Sequence, residues 1–534
     1  MRALPWLVPA LFALALYLGT WCPFPTWAHY GEDGPELEAA GRTLGIPHPT
    51  GYPLLMLLVR VTGLLLPPPW SALNLLTLAA AVLAVAAAGI CGRALAERMW
   101  PGGRGAPLAG IAAGLGLATA LSFWKQSVIG EVYTLHVAIL LIALALLIPK
   151  TAGARRALLA CYVLGLGLAH HLQILPAIAV IVLWLAIDGR LAPAIWQHPR
   201  RTLAGLLLFV APASLYLVHR LRSAHHPIMD WGDPETWPRL WWSMSGAPYR
   251  GHLLGGGPLA TFERWLDAFL SGPFEQLGIL GTALAALGLG LALVRSPRTG
   301  ALLCLLMAAA SGIAAAYDIP DPAAYYLPAV AALALAAGLG ATWLVQTAGA
   351  LASRIQHPLR IVPAAAACGL LAAALGLQIS QVRPEADARA ELAGLDYAAL
   401  GTAALAPHAL VLTHGDGRTF SLWYGTLVLA PRPDVLVLYD HLLDWPWYQE
   451  QVHRRDPSVR MPSPAQGREM MRAVLIADQL PRRPVYLTEL EPEIAHLFTI
   501  ERAGPLFRVT SGPDLTAEMD SVRAERRPRL SAGD

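Results

Sequence analysis

The sequence contains few charged residues. Asp, Glu, Lys and Arg make up 14% of its 534 residues, and 55% are hydrophobic, whereas about a quarter of a soluble protein is usually charged. So few charges cannot cover the surface of a chain this long. The net charge of +3 is too small to imply a nucleic-acid partner. The composition therefore predicts an integral membrane protein whose surroundings are membrane lipid.

Several sequence signatures are also absent. The five cysteines show no paired spacing, and four fall in or beside apolar blocks, so small buried thiols explain them better than a disulfide framework or a zinc site. The chain has no Gly-rich phosphate loop, no Cys-x-x-Cys pair and no nucleotide fingerprint. No cofactor or metal ligand set is predicted; a divalent metal stays possible without being indicated.

Long uncharged runs are present instead. Residues 71–90, 132–148 and 361–380 carry no charged side chain, and roughly 20 apolar residues in a helix span about 30 Å of hydrocarbon. The predicted spans are 3–21, 70–91, 107–121, 132–149, 157–169, 172–187, 202–218, 277–294, 300–316, 325–346 and 361–380. The first resembles a signal peptide that could be cleaved after Ala28. Because Trp27 and the prolines near it fit a cleavage site poorly, we expect an uncleaved span.

Basic residues predict the orientation of these eleven spans. With the N-terminus in the cytoplasm, the short outer turns hold only Lys125. The inner turns hold thirteen basic residues: Arg93, Arg98, Arg104, Lys150, Arg155, Arg156, Arg190, Arg200, Arg201, Arg295, Arg298, Arg354 and Arg360. The odd number of spans then places everything after Ser380 outside. We expect a protein of the inner or plasma membrane with an extracytoplasmic C-terminal part.

Three further regions follow from the pattern. Within the membrane domain, 1–380, the predicted outer loops are 22–69 and 219–276. The first has a helical stretch at 35–44 and a mostly apolar run at 54–66, and the second is rich in tryptophan, so both should carry helices along the interface. Residues 381–511 predict a small extracytoplasmic α/β domain with strands at 410–413, 435–438, 485–488 and 506–509. The charged segment 512–534 predicts disorder.

Carboxylates are concentrated just after the first span. The run 30–37, YGEDGPEL, places Asp33 and Glu36 three residues apart, nearly one helical turn. These acids could present toward one spot as catalytic groups. Equally, Asp33 or Gly34 could cap a helix whose first position is Pro35, with Glu36 favouring its positive end. The two interpretations are compatible, since a capping position also holds a carboxylate rigidly.

Other polar and aromatic side chains stand at predicted outer span ends. The stretch 45–53, rich in proline and glycine, forces a non-helical path that could hold a histidine and a tyrosine at a cavity mouth or form a rigid connector. An acid at a span end needs a partner or a water-filled cavity. His171 could equally be a hydrogen-bonded structural group. The candidate substrate-binding residues in these segments are His48, Tyr52, Glu131, Tyr133, His171, Asp318 and Tyr325.

At these residues the chain resembles a known family. The runs DGPEL at 33–37 and LGIPHPTGYPL at 44–54 resemble the signature of the family catalogued as domain of unknown function 2723, grouped with GT-C superfamily glycosyltransferases and including a protein O-mannosyltransferase. Supporting matches are FW at 123–124, EVY at 131–133, GL at 165–166 with His171, WGDP at 231–234, YDI at 317–319, YYLP at 325–328 and RPDV at 432–435. Pro35, Thr50 and His170 depart from the usual pattern, which weakens inference about the acceptor.

The resemblance implies a GT-C membrane bundle that uses a polyprenyl-phosphate sugar as donor. Asp33 would take the proton from a hydroxyl of a protein or glycan acceptor, helped by Glu36, in a single inverting displacement. The sugar would be mannose-like. Arg222, His48 and His171 would receive the leaving phosphate. We expect the C-terminal domain to cover the cavity or recruit the acceptor, with Asp416 as a turn residue.

Two other classes of function remain open. Intramembrane acids and histidines also occur in transporters and flippases of lipid-linked saccharides, although these are expected to show internal repeats, which this sequence does not display. A non-catalytic membrane assembly protein is the third possibility. Substituting Asp33 separates these classes, because only the enzyme should lose a transfer activity while it still inserts and folds.

Overall fold

The structure, a computed structural model, describes residues 4–102, 105–151, 153–319, 322–354, 361–461 and 468–515. Most of the predicted disordered tail, 516–534, lies outside the described residues. The described part of the membrane domain is almost entirely helical. Its α-helices are α1 Leu4–Leu18, α2 Gly34–Thr43, α3 Pro53–Leu65, α4 Ala72–Met99, α5 Ala106–Thr119, α6 Leu121–Ser127, α7 Tyr133–Leu147, α8 Ala154–Leu168, α9 Ile174–Ile187, α10 Leu191–Gln197, α11 Pro199–Val210, α12 Tyr216–Ser223, α13 Trp237–Met244, α14 Gly257–Leu270, α15 Gly272–Arg295, α16 Pro297–Ala316, α17 Leu327–Ala352 and α18 Val362–Ala386.

All eleven predicted spans fall on helices. Among the described residues, six helices or merged helix pairs are long and apolar enough to cross a membrane, and eight are if the bent pairs α5–α6 and α9–α10 each count as one span. The other three predicted spans fall on α1, α7 and α8, which have 15 residues each. The fold is therefore a polytopic helical membrane bundle.

Glycine and alanine allow the bundle helices to approach closely. A Cβ added to Gly110 of α5 would lie 2.4 Å from the carbonyl oxygen of Gly89 in α4. A Cβ on Gly288 of α15 would lie 1.9 Å from the carbonyl oxygen of Ala336 in α17. Small residues commonly form the contacts between membrane helices because they let backbones touch.

The two long loops carry short helices, as the sequence predicts. Helices α2 and α3 of the first loop pack together where Gly41 faces Val59; a Cβ on Gly41 would lie 2.4 Å from Val59 Cγ1. A 3₁₀ helix, Ala28–Asp33, leads into α2. In the second loop, α13 and α14 follow each other, and α15 is broken at Gly278, whose φ of 64° suits glycine.

The C-terminal part is an α/β unit. Its strands are β1 Leu410–Thr413, β2 Leu436–Tyr439, β3 Val485–Leu487, β4 Thr499–Ala503 and β5 Leu506–Ser511, and its helices are α19 Ala393–Ala404, α20 Asp416–Tyr424, α21 Pro446–Arg455, α22 Arg468–Gln479 and α23 Pro492–Leu497. The described strands form one sheet in the order β2-β1-β3-β5-β4. Strands β1, β2 and β3 run parallel, and β5 pairs antiparallel with both β3 and β4.

Four of these five described strands were predicted within one or two residues, and β4 was missed. Strand β4 is mostly exposed and contains Glu501 and Arg502, so it has neither the apolar run nor the buried alternation that marks a strand. It lies at the edge of the sheet, where charged side chains discourage pairing with other chains.

The sheet domain packs directly on the long loops. Trp27 Nε1 donates to Ser421 Oγ at 3.0 Å, and Gln451 Nε2 donates to the carbonyl oxygen of Asp230 at 2.6 Å. One hydrophobic cluster contains Leu37 of α2 together with Leu412 of β1. The first loop is therefore enclosed between the bundle and the sheet domain, and this arrangement positions the site.

Candidate active site

Asp33 stands at the junction between the 3₁₀ helix and α2. Pro35 occupies the first turn of α2, where a missing N–H costs nothing, so α2 begins at this point. Asp33 has the N-cap position, yet its side chain accepts no capping hydrogen bond from the described residues. The carboxylate thus stands at the helix start without capping the helix, and its side chain is partly exposed.

Glu36, His48 and Tyr52 form a hydrogen-bonded chain beside Asp33. Glu36 is fully buried and accepts both the backbone N–H of His48 at 3.0 Å and its Nδ1–H at 2.5 Å. On the other side of the ring, Nε2 lies 2.8 Å from the Tyr52 hydroxyl and 3.7 Å from Asp33 Oδ2. The two predicted acids and the predicted histidine therefore meet, with the histidine between the acids.

Burial and the neighbouring charges shift the pKa values of Asp33 and His48. Desolvation by the surrounding protein raises the pKa of Asp33 to about 6, and Glu36 adds to this while His48 opposes it; 41% of the Asp33 side chain stays accessible. Burial acts to lower the pKa of His48, but the charges of Glu36 and Asp33 outweigh it and raise that pKa to about 10. At neutral pH the site thus holds a carboxylate base next to an imidazolium.

Aromatic rings from distant helices surround His171, which follows α8. Its ring stacks on Tyr52 with centroids 5.7 Å apart and lies 6.0 Å from Tyr133 and 6.2 Å from Tyr325. The Nδ1 atom accepts the backbone N–H of Gln173 at 3.1 Å, so Nε2 carries the proton of the neutral ring. His171 is therefore oriented as a hydrogen-bond donor, in contact with three of the predicted substrate-binding residues.

The remaining predicted residues have different surroundings. Glu131 is 5% exposed, and its Oε2 accepts the backbone N–H of Val132 at 3.2 Å. Its charge acts on His48, which places it at the edge of the same group. Asp318 is about half exposed and pairs with Arg264, Oδ1 to Nη1, at 3.3 Å.

Arg222 has a structural contact. Its Nε donates to the carbonyl oxygen of Leu44, at the end of α2, at 2.9 Å. This bond ties α12 to the first loop. The role of Arg222 as a phosphate partner stays a prediction.

A large cavity adjoins the site. Its volume is about 940 Å³, and it lies between α6, α14, α15, α16 and α17. Glu32, next to Asp33 in sequence, lines it together with Lys125, Arg264 and apolar side chains such as Phe269 and Leu289. The cavity is lined mostly by apolar surface, which suits a hydrocarbon chain with a polar head.

Arg264 and Tyr249 were missed from the sequence. The Nη2 atom of Arg264 is buried and has no hydrogen-bond partner among the described residues, although it lines the cavity. The Tyr249 ring lies 6.5 Å from His48. Both belong to the loop 219–276, from which the sequence named only Arg222 as a candidate site residue. An arginine on an apolar, aromatic helix such as α14 could have been identified from the sequence as a candidate site residue, because its charge needs an anion or a water-filled cavity.

Two parts of the chain match models of known protein families. Residues 33–191 match the family model described as the protein O-mannosyl-transferase TMEM260 N-terminal domain. Residues 395–473 match a second model, TMEM260-associated domain 2. The first match begins at Asp33 and contains the acid–histidine site. No curated protein sequence matches the chain.

Solved structures show the same fold. ArnT from Cupriavidus metallidurans in the apo state is 14% identical, with a TM-score of 0.52, covering 96% of this chain and 100% of that one. The same protein bound to undecaprenyl phosphate is 14% identical, with a TM-score of 0.54, covering 95% and 99%. These matches show that the chain shares the fold of ArnT.

Proposed function

We propose that this chain transfers a mannose-like sugar from a polyprenyl-phosphate donor to a hydroxyl of a protein or glycan acceptor, with inversion, on the extracytoplasmic side of the membrane. The observation that carries the proposal is the Asp33 carboxylate, which is held at the start of α2 without capping it and lies 3.7 Å from the imidazole Nε2 of His48.

The reaction follows from this geometry. Asp33 accepts the proton of the acceptor hydroxyl while the hydroxyl oxygen attacks the anomeric carbon. The bond between that carbon and the phosphate oxygen breaks, and its electron pair leaves with the polyprenyl phosphate. Attack from the face opposite the leaving group inverts the anomeric centre. One carboxylate therefore suffices, and Glu36 is a positioning residue that holds His48 through two hydrogen bonds.

The leaving phosphate needs positive charge or donors. His171 Nε2–H and the imidazolium of His48 would meet this need at the site. We add Arg264 to Arg222 as a candidate donor, because the Nη2 of Arg264 is a buried donor without a partner in the described chain. The 940 Å³ cavity that Arg264 and Lys125 line would then hold the first isoprene units next to the phosphate.

The direct test uses the purified full-length protein in detergent with polyprenyl-phosphate mannose and, in parallel, polyprenyl-phosphate glucose. We expect consumption of the mannose donor when acceptor hydroxyls are present. Asp33→Asn should lower the rate by about 10² to 10⁴. The matched control is Asp396→Asn, which changes an exposed aspartate of α19 and should keep the wild-type rate.

Two results would count against the proposal. Wild-type turnover in Asp33→Asn would remove the base from the mechanism. Size-exclusion chromatography in detergent would establish that the protein is folded. If the folded protein turned over neither donor, the result would reject the donor class and favour a transporter or an assembly protein.

A further inference from the structure

The sheet domain brings a second polar cluster together at the carboxyl ends of its parallel strands. Strands β1 and β2 are paired in register, Thr413 with Tyr439. The residues that follow, His414 after β1 and Asp440 with His441 after β2, therefore emerge side by side. Ligand sites in parallel sheets commonly form at this edge.

The three side chains have the spacing of metal ligands. One donor atom from each of His414, Asp440 and His441 lies within 4.8 Å of the other two. The His441 Nε2 and Asp440 Oδ1 atoms are 3.9 Å apart. Ligands about 2.0–2.1 Å from a tetrahedral zinc ion stand about 3.3 Å from one another. The His441 Nε2 and Asp440 Oδ1 atoms would therefore need to move only slightly closer together to bind one ion.

Asp440 supplies an unused ligand atom. The residue is fully buried, and its Oδ2 accepts the Nδ1–H of His414 at 2.7 Å. Its Oδ1 has no hydrogen-bond partner among the described residues. A buried carboxylate oxygen without a partner costs free energy, and this one faces His441, so a cation between them would remove that cost.

Hydrogen bonds also orient the two histidines. The Tyr439 hydroxyl donates to Asp416 Oδ1 and therefore accepts from the Nδ1–H of His441 at 3.0 Å. This leaves Nε2 of His441 with its lone pair, next to Asp440. His414 Nδ1 lies 2.7 Å from Asp440 Oδ2, so an ion bound by both residues would take the place of the proton between these two atoms. Metal-binding histidines typically donate their other N–H to a second group, as His441 does to the Tyr439 hydroxyl.

The local charge favours a cation. Three carboxylates belong to the cluster: Asp440 and Glu491, both paired with Arg472, and Asp416, which accepts from Tyr439. The guanidinium of Arg472 therefore neutralises only part of their charge. His414 and His441 are about one third and two fifths exposed, which gives an ion access from water.

Another group, His226, Asp230 and Asp233, has similar spacing but fits a soft divalent cation less well. It has a single imidazole, and that histidine is exposed. Asp233 is already paired with Arg239 at 2.5 Å and lies 3.5 Å from Arg454. Two guanidiniums on one carboxylate leave little unbalanced negative charge to attract a cation. This group therefore serves as a control in the test of zinc binding.

We propose that His414, Asp440 and His441 bind a zinc ion, with Tyr439 and Asp416 as positioning residues for His441. Two imidazole nitrogens and one carboxylate oxygen suit Zn²⁺ over the harder Mg²⁺ and Ca²⁺, which prefer oxygen ligands. Three protein ligands leave a fourth position for water or another oxygen ligand. The proposal is independent of sugar transfer, because it concerns binding of the ion alone.

The test measures zinc on the full-length protein in detergent after treatment with a chelator. Titration with ZnCl₂, followed by desalting and elemental analysis, should give one tightly held zinc ion per chain. The double variant H414Q/H441Q should hold none. Tyr439→Phe should weaken zinc binding by about 10- to 100-fold, because a hydrogen bond that orients the ligand is lost.

Two controls keep the test decisive. His226→Gln changes the comparison group, and His496→Gln changes an exposed histidine of α23; both should retain the wild-type zinc content. Elution volume and circular dichroism establish that each variant folds. Each of four results would overturn the proposal. These are loss of zinc in His226→Gln, full zinc content in folded H414Q/H441Q, absence of zinc from the wild type, and tighter binding of Mg²⁺ than of Zn²⁺.

Discussion

At the scale of single residues, Asp33 and His48 depend on each other. The imidazolium 3.7 Å away lowers the pKa of the carboxylate, while desolvation raises it to about 6. A base of this strength is largely ionised at neutral pH and still a better proton acceptor than an ordinary aspartate. The sequence indicated both residues, but the sign and size of these shifts depend on burial and on Glu36.

The pH dependence of kcat/KM should reflect this pair. Because the base must be deprotonated, we expect activity to fall as the pH decreases through about 6, the raised pKa of Asp33. In His48→Gln the positive charge that lowers this pKa is absent, so the acidic midpoint should move to higher pH. Initial rates measured from pH 4.5 to 9 on both proteins give the two midpoints. An unchanged or lower midpoint in His48→Gln would contradict the assignment, and Asp396→Asn serves as the unshifted control.

Glu36 should contribute less to the rate than Asp33. Glu36→Gln keeps an oxygen that accepts the backbone N–H of His48 but removes the charge that raises the pKa of that histidine. We expect a reduced yet measurable kcat, with loss smaller than the 10² to 10⁴ expected for the base, and an ordinary elution profile. A Glu36→Gln rate as low as that of Asp33→Asn would make Glu36 part of the proton transfer.

At the scale of elements, close helix contacts determine the shape of the bundle. Helices α15 and α17 touch through Gly288 and Gly340, where an added Cβ would lie 1.9 and 2.1 Å from backbone oxygens of the opposite helix. These helices also line the cavity next to the site. A glycine at such a contact could not be distinguished in the sequence from a glycine that faces lipid.

A pair of alanine substitutions tests this contact. Gly288→Ala should separate α15 from α17 and destabilise the protein by about 1–3 kcal/mol, as overpacking does. Gly290→Ala, two residues away on the same helix and with nothing within 4 Å of the added Cβ, should match or exceed the wild type, since alanine favours helix. Thermal unfolding in detergent measures both. Equal unfolding temperatures would show that the helices are not in contact at Gly288.

At the scale of the whole molecule, the sheet domain and the loop 22–69 share one hydrophobic cluster. Asp416 illustrates the consequence. We expected a turn residue, and it begins α20 after Gly415, whose φ of 77° suits glycine. Its carboxylate nevertheless accepts from Tyr439, and its charge acts on Asp33. A charge on the sheet domain thus raises the pKa of Asp33.

Orientation in the membrane is the prediction at this scale. The thirteen-to-one distribution of basic residues predicts that the sheet domain and the acid–histidine site both lie outside the cytoplasm. An alkaline phosphatase fused after Ser511 should be active, and the same enzyme fused after Lys150, in a predicted inner turn, should be inactive. Activity only in the Lys150 fusion would reverse the topology and the side on which transfer occurs.

The sequence by itself determined the properties that depend on neighbouring residues. Long uncharged runs identify helices in a membrane, because a backbone in hydrocarbon must satisfy its own hydrogen bonds. Short β-branched and aliphatic runs identified β1, β2, β3 and β5. The acidic run at 30–37 and the stretch 45–53 indicated the site, since its main residues lie within twenty positions of one another.

Tertiary structure decided which distant side chains meet. Tyr133 and Tyr325 reach His171 only because the start of α7, the residues just before α17 and the segment after α8 converge. Arg264 reaches the cavity only through the path of α14. His414 and Asp440 are neighbours because β1 and β2 pair in parallel with Thr413 opposite Tyr439. Such contacts depend on how separate elements pack, and local hydrophobic patterns carry no information about the register or the angle of that packing.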